Sequence, residues 1–473
     1  MRTIFGLGGA LATATLVLAG CASVNIDQAV QKTNDNNKAF TQGKLELSRT
    51  EQQQRARSKL TGDLLAQPLT MDDAVQLALA NSPAVQTLLA QSWSEMALAN
   101  QRGRIANPVF AFERVRFGDE LELNRLLSFG LLDILTLPQR QVIARSQVAQ
   151  FEIQLSADVV DHVTQVRQAW VRAVSAQQML KYAGQVNSSA QASAELARRM
   201  LQVGNFTKLQ RARQQVFYAD AAAQLASAAN AATADREELV RLLGLTDAQS
   251  VELKLPERLP DLPKEPHPSG LVNVNAMQQR LDVQMALNQL DIAGKAQGLS
   301  LLNSLVDVEL GIRRDTVFDN AAGTQTPRMG YELGIRLPIF DWGSAQRDTM
   351  NAQSLAAANR YESTVRNASS QLRQSYSAYR TAHDVARHYR DEIVPLRKVI
   401  AEENVLAYNG MLIGVLELLA DSRDQISSVM AAINAYQQFW LADAALAASM
   451  TGKPTTMAAM LMPTGSSASQ AGH

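Results

Sequence analysis

The sequence predicts a mainly α-helical protein that also carries strands of a membrane β-barrel, arranged as an internal two-fold repeat. A similar order of segments occurs twice, because Pro138 and Pro338 each follow a strand-like region at a spacing of 200 residues. Residues 139–202 contain no proline, and at ~1.5 Å per residue a helix over them would be about 95 Å long. Aliphatic and charged residues alternate at 306–313 and 331–337, which predicts strands with one apolar face. These observations favour long paired helices joined to a membrane sheet.

The N-terminus predicts lipid attachment. Residues 1–20 combine a basic start, an apolar stretch and Leu18-Ala19-Gly20 directly before Cys21, the only cysteine of 473 residues. This pattern is similar to the signal peptide and lipobox of bacterial lipoproteins, in which the cysteine is acylated and begins the mature chain. An ordinary secretory signal that contains a cysteine is the alternative. Ala22 favours the outer membrane by the same resemblance, and residues 21–69 are expected to form an extended, lipid-anchored arm.

Composition excludes some classes of partner. The chain has 45 basic and 45 acidic residues, which argues against binding to nucleic acid. Aromatic residues make up only 5%, a composition that suits long helices packed through small side chains. After the signal, no apolar run approaches the ~20 residues of a membrane-spanning helix. Any crossing of a membrane is therefore expected to use strands.

The first repeat is assigned to residues 70–255. Its expected segments are a helix, a strand pair at about 107–137 and a long helical hairpin at 139–244. Thr70 predicts a helix N-cap, and Pro83 is expected to kink or interrupt that helix. A chain reversal at Gly204-Asn205 would let the two halves of the hairpin pack together.

A proline-rich linker at residues 256–273 leads into the second repeat, residues 274–452. Its expected segments are a helix at about 274–302, a strand pair at about 305–340 and a long helical hairpin at 344–450. Pro395 predicts a kink near residues 392–394, and the chain reverses at Asn409-Gly410. Residues 453–473 are expected to be a disordered tail.

The charged face of the second strand pair predicts a barrel lumen. The residues expected to face water inside the barrel are Asp307, Glu309, Arg313, Glu332 and Arg336. A soluble sheet with one wet face would show the same alternation. Matching strands are expected at residues 110–117 and 124–135, close to the ~9–11 residues that cross a bilayer.

Four strands cannot close a barrel, and an open edge in lipid leaves backbone groups unpaired. Several chains must therefore share one barrel, with eight strands from a dimer or twelve from a trimer. The turn after Phe117 and a polar loop at about 316–328 would face outside the cell.

Several motifs then carry a family likeness along nearly the whole mature chain. They are Leu69-Thr70-Met71-Asp72-Asp73-Ala74-Val75, Asn81-Ser82-Pro83, Asn107-Pro108, Leu337-Pro338-Ile339-Phe340-Asp341-Trp342-Gly343, Tyr408-Asn409-Gly410 and Leu416-Glu417-Leu418-Leu419-Ala420-Asp421-Ser422-Arg423. The sequence resembles the TolC-like outer-membrane efflux channels, and within them the lipidated members that serve resistance-nodulation-division pumps.

The resemblance implies a homotrimer whose 12-stranded barrel, four strands per chain, continues into a periplasmic α-helical coiled-coil barrel. It implies a periplasmic adaptor (membrane fusion) protein and an inner-membrane pump as partners, with no cofactor. The adaptor would dock at the hairpin turns, on Gly204, Asn205, Phe206, Gly410, Leu412, Ile413, Gly414 and Val415. Glycine-capped turns stapled by apolar residues need no partner, which is the alternative for these positions.

The resemblance also implies a periplasmic gate on the helix after the second turn. Many family members read Leu-Leu-Asp-Ala-x-Arg there, whereas residues 418–423 read Leu-Leu-Ala-Asp-Ser-Arg, which moves the acid by about 100° around the helix. The gate candidates are Leu416, Glu417, Asp421, Arg423 and Asp424. Arg423 is expected to pair with an acidic residue on a neighbouring helix and hold the gate shut. An ordinary solvated helix face with charge pairs is the alternative.

Other functions fit the sequence less well. The five histidines are scattered, and His383 and His388 are spaced poorly for a metal pair, so neither a metal site nor an enzyme is expected. A lipid-anchored periplasmic adaptor or scaffold would share the helical hairpin but not the alternating strands. The outer-membrane channel of a type I protein secretion system remains an alternative to efflux of small toxic compounds or drugs. The sequence does not name the exported substrate.

Overall fold

The computed structural model describes residues 25–268, 277–305, 307–337, 339–340 and 342–453. Cys21 and the predicted tail beyond residue 453 lie outside the described residues, as do Val306 and Pro338.

Helices make up most of the described chain, and the four strands lie in two pairs between them. The helices are α1 (Ile26–Thr41), α2 (Glu51–Leu65), α3 (Met71–Asn81), α4 (Pro83–Arg102), α5 (Leu131–Leu135), α6 (Leu137–Gln202), α7 (Lys208–Leu243), α8 (Asp247–Glu252), α9 (Leu281–Leu305), α10 (Ser344–His388), α11 (Val394–Asn409) and α12 (Val415–Thr451). The strands are β1 (Val109–Phe117), β2 (Glu120–Gly130), β3 (Asp307–Asp319) and β4 (Thr324–Arg336). The prediction of a mainly helical chain with four strands is confirmed.

Local sequence signals set several helix ends. Thr70 caps α3, because its side chain accepts from the backbone N–H of Asp73 while the Asp73 carboxylate accepts from the backbone N–H of Thr70. Ser82 is extended and Pro83 begins α4, so the predicted interruption is confirmed. The same reciprocal cap between Thr207 and Gln210 begins α7.

Pro395 acts on the backbone before it. Residues Tyr389–Ile393 form a π-helical turn between α10 and α11, directly upstream of the proline. Proline has no N–H to donate to the carbonyl four residues back, and its ring crowds that carbonyl, so the wider turn relieves both problems. The predicted distortion is confirmed, but it begins three residues earlier than residue 392.

The sheet is antiparallel in the order β1-β2-β3-β4. Two predictions about it were wrong. Residues 131–135 form helix α5 rather than the end of a strand, because Gly130 caps the turn and Asp133 pairs with Arg140 at 2.7 Å. The predicted loop at 316–328 is mostly strand, since Thr316 still pairs with Pro327 and the turn occupies only residues 320–323.

The N-terminal arm is helical, which corrects the expectation of an extended segment. Thr50 and Gln53 form a capping box that begins α2. Helix α1 is held by Asn37, which donates to the Ser156 carbonyl at 3.3 Å, and by Arg167, which donates to the Phe40 carbonyl at 2.6 Å. The Thr-x-x-Gln spacing of that cap is readable in the sequence, but the contacts of α1 are between residues far apart in it.

The chain divides into two compact units, and each unit draws on both sequence halves. One contains Ala90–Leu155 and Val283–Val365 and therefore holds the sheet. The other contains Val30–Leu89, Ser156–Asp282 and the chain from Arg366 onward. Within the described residues, no helix is both long and apolar enough to cross a membrane.

The second unit has an aromatic core between α10 and α12. Phe439 is fully buried, with ring centroids 5.6 Å from Tyr379 and 5.7 Å from His383. Leu262 of the proline-rich linker packs on the same cluster. The Tyr379 hydroxyl accepts from the backbone N–H of His267 at 3.2 Å, so the described part of the linker is attached to the core.

A glycine in the left-handed conformation ends the second helix of each hairpin. Gly244 ends α7 of the first hairpin at φ 67°, and Gly452 ends α12 of the second at φ 95°. A Cβ on Gly244 would lie 2.7 Å from the Ser82 Cα, and one on Gly452 would lie 2.6 Å from the Leu281 backbone nitrogen. Each hairpin therefore ends against the start of the helix that leads into a strand pair.

Candidate functional site

The predicted lumen residues share one face of the sheet. The register pairs Asp307 with Arg336 and Gly311 with Glu332, and directly paired residues lie on the same face of an antiparallel sheet. Arg313 forms an ion pair with Asp315 on this face at 2.8 Å. The common face is confirmed, and its place in a lumen stays a prediction.

The first hairpin turn joins α6 to α7. Gly204 has φ 80°, which confirms the predicted role of this glycine in the reversal. The backbone N–H groups of Asn205 and Phe206 both donate to the Met200 carbonyl, at 2.9 and 3.2 Å. Phe206 is 7% exposed, so its side chain is buried within the chain itself. This corrects the expectation that Phe206 offers its ring to a partner, whereas Val203 is 68% exposed.

The second turn differs from the prediction in its backbone. Gly410 has φ −77°, and the left-handed residue is Met411 at φ 60°. A left-handed conformation costs a residue with a side chain roughly 1–2 kcal/mol. Met411 and Leu412 are 93% and 81% exposed. Gly414 is exposed as the cap of α12, and Ile413 and Val415 are half-buried. A strained turn thus presents two apolar side chains to solvent.

The acidic gate candidates Asp421 and Asp424 are bonded to α11 of the same hairpin. The Asp421 carboxylate accepts a hydrogen bond from the Asn404 side-chain amide. Arg397 forms an ion pair with Asp424 at 3.4 Å. These two contacts join α11 to α12 near the turn between them.

Arg423 instead reaches the other hairpin. Its Nη2 donates to the Gln214 Oε1 at 2.8 Å, and its guanidinium carbon lies 4.3 Å from the centroid of the Phe217 ring. Both partners are on α7, and Gln214 is only 3% exposed. Burial lowers the pKa of the Arg423 guanidinium, an effect that nearby Asp220 opposes. The predicted partner on a neighbouring helix was a carboxylate, and this part of the prediction was wrong, because the contacting groups are an amide and an aromatic ring.

The other gate candidates lie one turn earlier on α12. Leu416 is half-buried, and Glu417 is exposed in the first turn of the helix. A carboxylate there interacts favourably with the N-terminal end of the helix dipole.

Sequence reasoning missed four residues of this network. They are Gln214, Phe217, Asn404 and Arg397. Gln214 and Arg423 are 209 positions apart, and the sequence alone does not show which faces of the two hairpins meet. Met411 was also missed, since a methionine in a turn carries no signal for a left-handed backbone.

Two histidines that were considered for metal binding serve elsewhere. His383 is buried beside the Pro263 carbonyl at 3.4 Å, and His388 lies 3.1 Å from a Glu392 oxygen. Among the described ranges, no three side chains of His, Cys, Asp or Glu are grouped to hold a metal ion.

Comparisons by sequence give no relative. No protein-family model matches the chain, and no curated protein is similar to it in sequence.

Solved structures, by contrast, share its fold. The CmeC outer membrane channel of Campylobacter jejuni is 14% identical at a TM-score of 0.68, covering 89% of this chain and 92% of its own. The open state of the MtrE outer membrane channel of Neisseria gonorrhoeae is 19% identical at a TM-score of 0.65, and the match covers 81% of this chain and 89% of MtrE. The outer membrane protein VceC of Vibrio cholerae is 15% identical at a TM-score of 0.66, and the match covers 81% of this chain and 96% of VceC. The chain therefore has the fold of the TolC-like outer-membrane channels, as its motifs implied.

Proposed function

We propose that this chain is the outer-membrane channel of a tripartite efflux pump, a passive exit duct for small toxic compounds or drugs. The observation that carries the proposal is the combination, within the fold of those channels, of a four-stranded sheet with separate polar and apolar faces and two helical hairpins. In this function the sheet crosses the outer membrane and the hairpins lie in the periplasm.

The duct is a homotrimer. Strands β1 and β4 are the two edges of the sheet, and each would leave a row of backbone groups unpaired in lipid. Pairing of β4 with β1 of a second copy satisfies both edges. Three copies give 12 strands, which leave room for a channel, whereas eight strands leave room only for side chains. Asp307, Glu309, Arg313, Glu332 and Arg336 then line the water-filled lumen.

The proposed function implies two protein partners. The periplasmic adaptor contacts the exposed apolar side chains of the turns, Val203, Met411 and Leu412, together with the adjoining glycines. An inner-membrane pump of the resistance-nodulation-division type supplies the cargo through that adaptor. Acylated Cys21 holds the chain in the outer-membrane lipid. The contacts of Asp421, Arg423 and Asp424 hold the periplasmic end closed at rest.

The assembly is tested by native mass spectrometry of protein extracted from the outer membrane in detergent. We expect a trimer of chains that begin at an acylated Cys21, with the chain mass read from a denatured portion of the same sample. A monomer without lipid would contradict both the shared barrel and the anchor. A trimer without lipid would contradict only the anchor.

Leu412→Asp is expected to uncouple the channel from its pump. Placing a carboxylate in an apolar contact leaves it desolvated and unpaired, and an exposed turn residue should change the chain's own stability by less than about 0.5 kcal/mol. In cells that depend on the plasmid-borne gene, we expect a several-fold drop in the minimum inhibitory concentration of exported drugs, at unchanged trimer level.

Leu406→Asp is the matched control for this substitution. Leu406 is 63% exposed on α11, before the turn rather than in it. Equal loss of resistance in both variants, or none in Leu412→Asp, would contradict docking at the turn.

A further inference from the structure

The apolar face of the sheet changes in character along its strands. Paired residues on this face form rows that run across the sheet from β1 to β4. The rows are counted from the strand ends farthest from the β1–β2 and β3–β4 turns. The first rows contain no charged residue, and their members are Val308, Ile335, Phe129, Leu310, Leu333, Phe110, Leu127, Ile312 and Tyr331.

The three rows nearest the turns of the same face carry four arginines and no carboxylate. These rows read Phe112-Arg125-Arg314-Met329, Arg114-Leu123-Thr316-Pro327 and Arg116-Leu121-Phe318-Gln325 across β1 to β4. All eight carboxylates of the strands lie on the opposite face, together with the other three arginines. The charge of the sheet is therefore sorted by face as well as by height.

None of the four arginines has a strand carboxylate on its own face of the sheet. Arg125 and Arg314 lie directly opposite each other on β2 and β3, where side chains are ~5 Å apart and like charges are destabilising. Arg125 donates to the Thr316 hydroxyl at 3.4 Å, which orients its guanidinium without neutralising it. Over the part of the chain that the structure describes, none of the four forms an ion pair. An external anion would remove the repulsion.

The position of these rows selects the kind of anion. From the Arg125–Arg314 row to the Arg116 row is about 13 Å along the strand, or roughly 10 Å of depth for strands tilted by about 40°. One polar headgroup region is about 5–8 Å thick, so these rows would span that region and its border with the hydrocarbon. Arginine on a lipid-facing strand is strongly disfavoured at the bilayer midplane but nearly neutral at the interface. A guanidinium also matches phosphate with two parallel hydrogen bonds.

We propose that Arg114, Arg116, Arg125 and Arg314 bind the phosphate groups of anionic lipid in the membrane leaflet at the turn end of the sheet. The inference rests on the proposed function, because it requires the sheet to lie in the membrane. The bound lipid fixes the height of the sheet in the bilayer.

The test uses the full-length protein purified in non-ionic detergent and native mass spectrometry, which reports oligomeric state and bound lipid together. The probes are lipid A with both phosphates, the same lipid with both phosphates removed, and inorganic pyrophosphate. We expect the wild-type trimer to retain the phosphorylated lipid, and Arg125→Gln/Arg314→Gln to bind it at least about tenfold more weakly, since it loses charge-assisted hydrogen bonds.

Arg313→Gln/Arg328→Gln, on the opposite face, is the matched control and is expected to bind like the wild type. If Arg125→Gln/Arg314→Gln fails to assemble, Arg114→Gln/Arg116→Gln serves instead, because both side chains are exposed on β1. Equal binding of the dephosphorylated lipid, or equal loss in the control variant, would overturn the inference.

If pyrophosphate binds as tightly as the phosphorylated lipid, and binding depends on the same arginines, the ligand of this site is a free anion and the lipid proposal is overturned. A wild-type trimer that binds the lipid equally well with and without its phosphates overturns this inference and leaves the proposed function standing. A wild-type monomer overturns the proposed function and this inference with it.

Discussion

Arg423→Met is expected to shift the proposed channel from its closed towards its open form, by roughly 10- to 100-fold in the ratio of open to closed molecules. Hydrogen bonds that involve a charged group contribute about 1.5–3 kcal/mol, and this substitution removes one of them and a cation–π contact. Both contacts join α12 of the second hairpin to α7 of the first. Their loss also leaves the buried Gln214 side chain without its charged donor.

Single-channel conductance in planar bilayers measures this shift, and entry of a large antibiotic that the outer membrane normally excludes measures it in cells. Arg397→Met is the matched control. It removes the ion pair with Asp424, which joins two helices of one hairpin and not two hairpins. An Arg423→Met channel as closed as the wild type, or an Arg397→Met channel equally open, would show that Arg423 does not hold the hairpins together.

Phe439→Ala is expected to lower the free energy of unfolding by about 3–5 kcal/mol, the usual cost of removing a buried aromatic ring. Phe439 is fully buried, and its ring contacts Tyr379, His383 and Trp440 at centroid distances of 5.6, 5.7 and 5.1 Å. The Phe439 ring packs between α10 and α12, and this close packing limits how far neighbouring side chains can fill the cavity.

Urea unfolding of the detergent-solubilised protein, followed by circular dichroism at one fixed protein concentration, measures this loss. Phe117→Ala is the control, because Phe117 is 85% exposed at the end of β1. The control is expected to change the unfolding free energy by less than about 0.5 kcal/mol. A loss below about 1 kcal/mol for Phe439→Ala would contradict its place at the centre of the core.

The parts of the fold that depend on local sequence could be predicted. The Thr70 cap, the break at Pro83 and the reversal at Gly204 each follow from one or two residues and their backbone preferences. The long helices of the first hairpin follow from the absence of proline between Pro138 and Pro256. Period-two alternation located β3 and β4, and it placed all five candidate lumen residues on one face.

The errors arose where pairing at a distance decides the structure. Residues 316–328 look like a polar loop because Arg314 and Thr316 end the aliphatic alternation, yet each has a partner on β4. The arm looks unpatterned because α1 is anchored by contacts with Ser156 and Arg167 of a helix more than 100 residues later. The amide and aromatic partners of Arg423 are hidden for the same reason, since the facing sides of two hairpins are set by packing.

Gly244 and Gly452 bear on how the proposed channel would open. Because a single methyl group at either glycine would strike the backbone or first atoms of the neighbouring segment, that end of each hairpin is packed too closely to shift far without moving its neighbour. Each hairpin is therefore held at its glycine-capped end, and its displacement is expected to increase with distance from that glycine. The π-helical turn at Tyr389–Ile393 lies between the start of the second hairpin and its turn, and the helix can bend there. In the proposed channel, opening is thus expected to be a bending of the hairpins that is largest at their turns and smallest at the ends capped by Gly244 and Gly452.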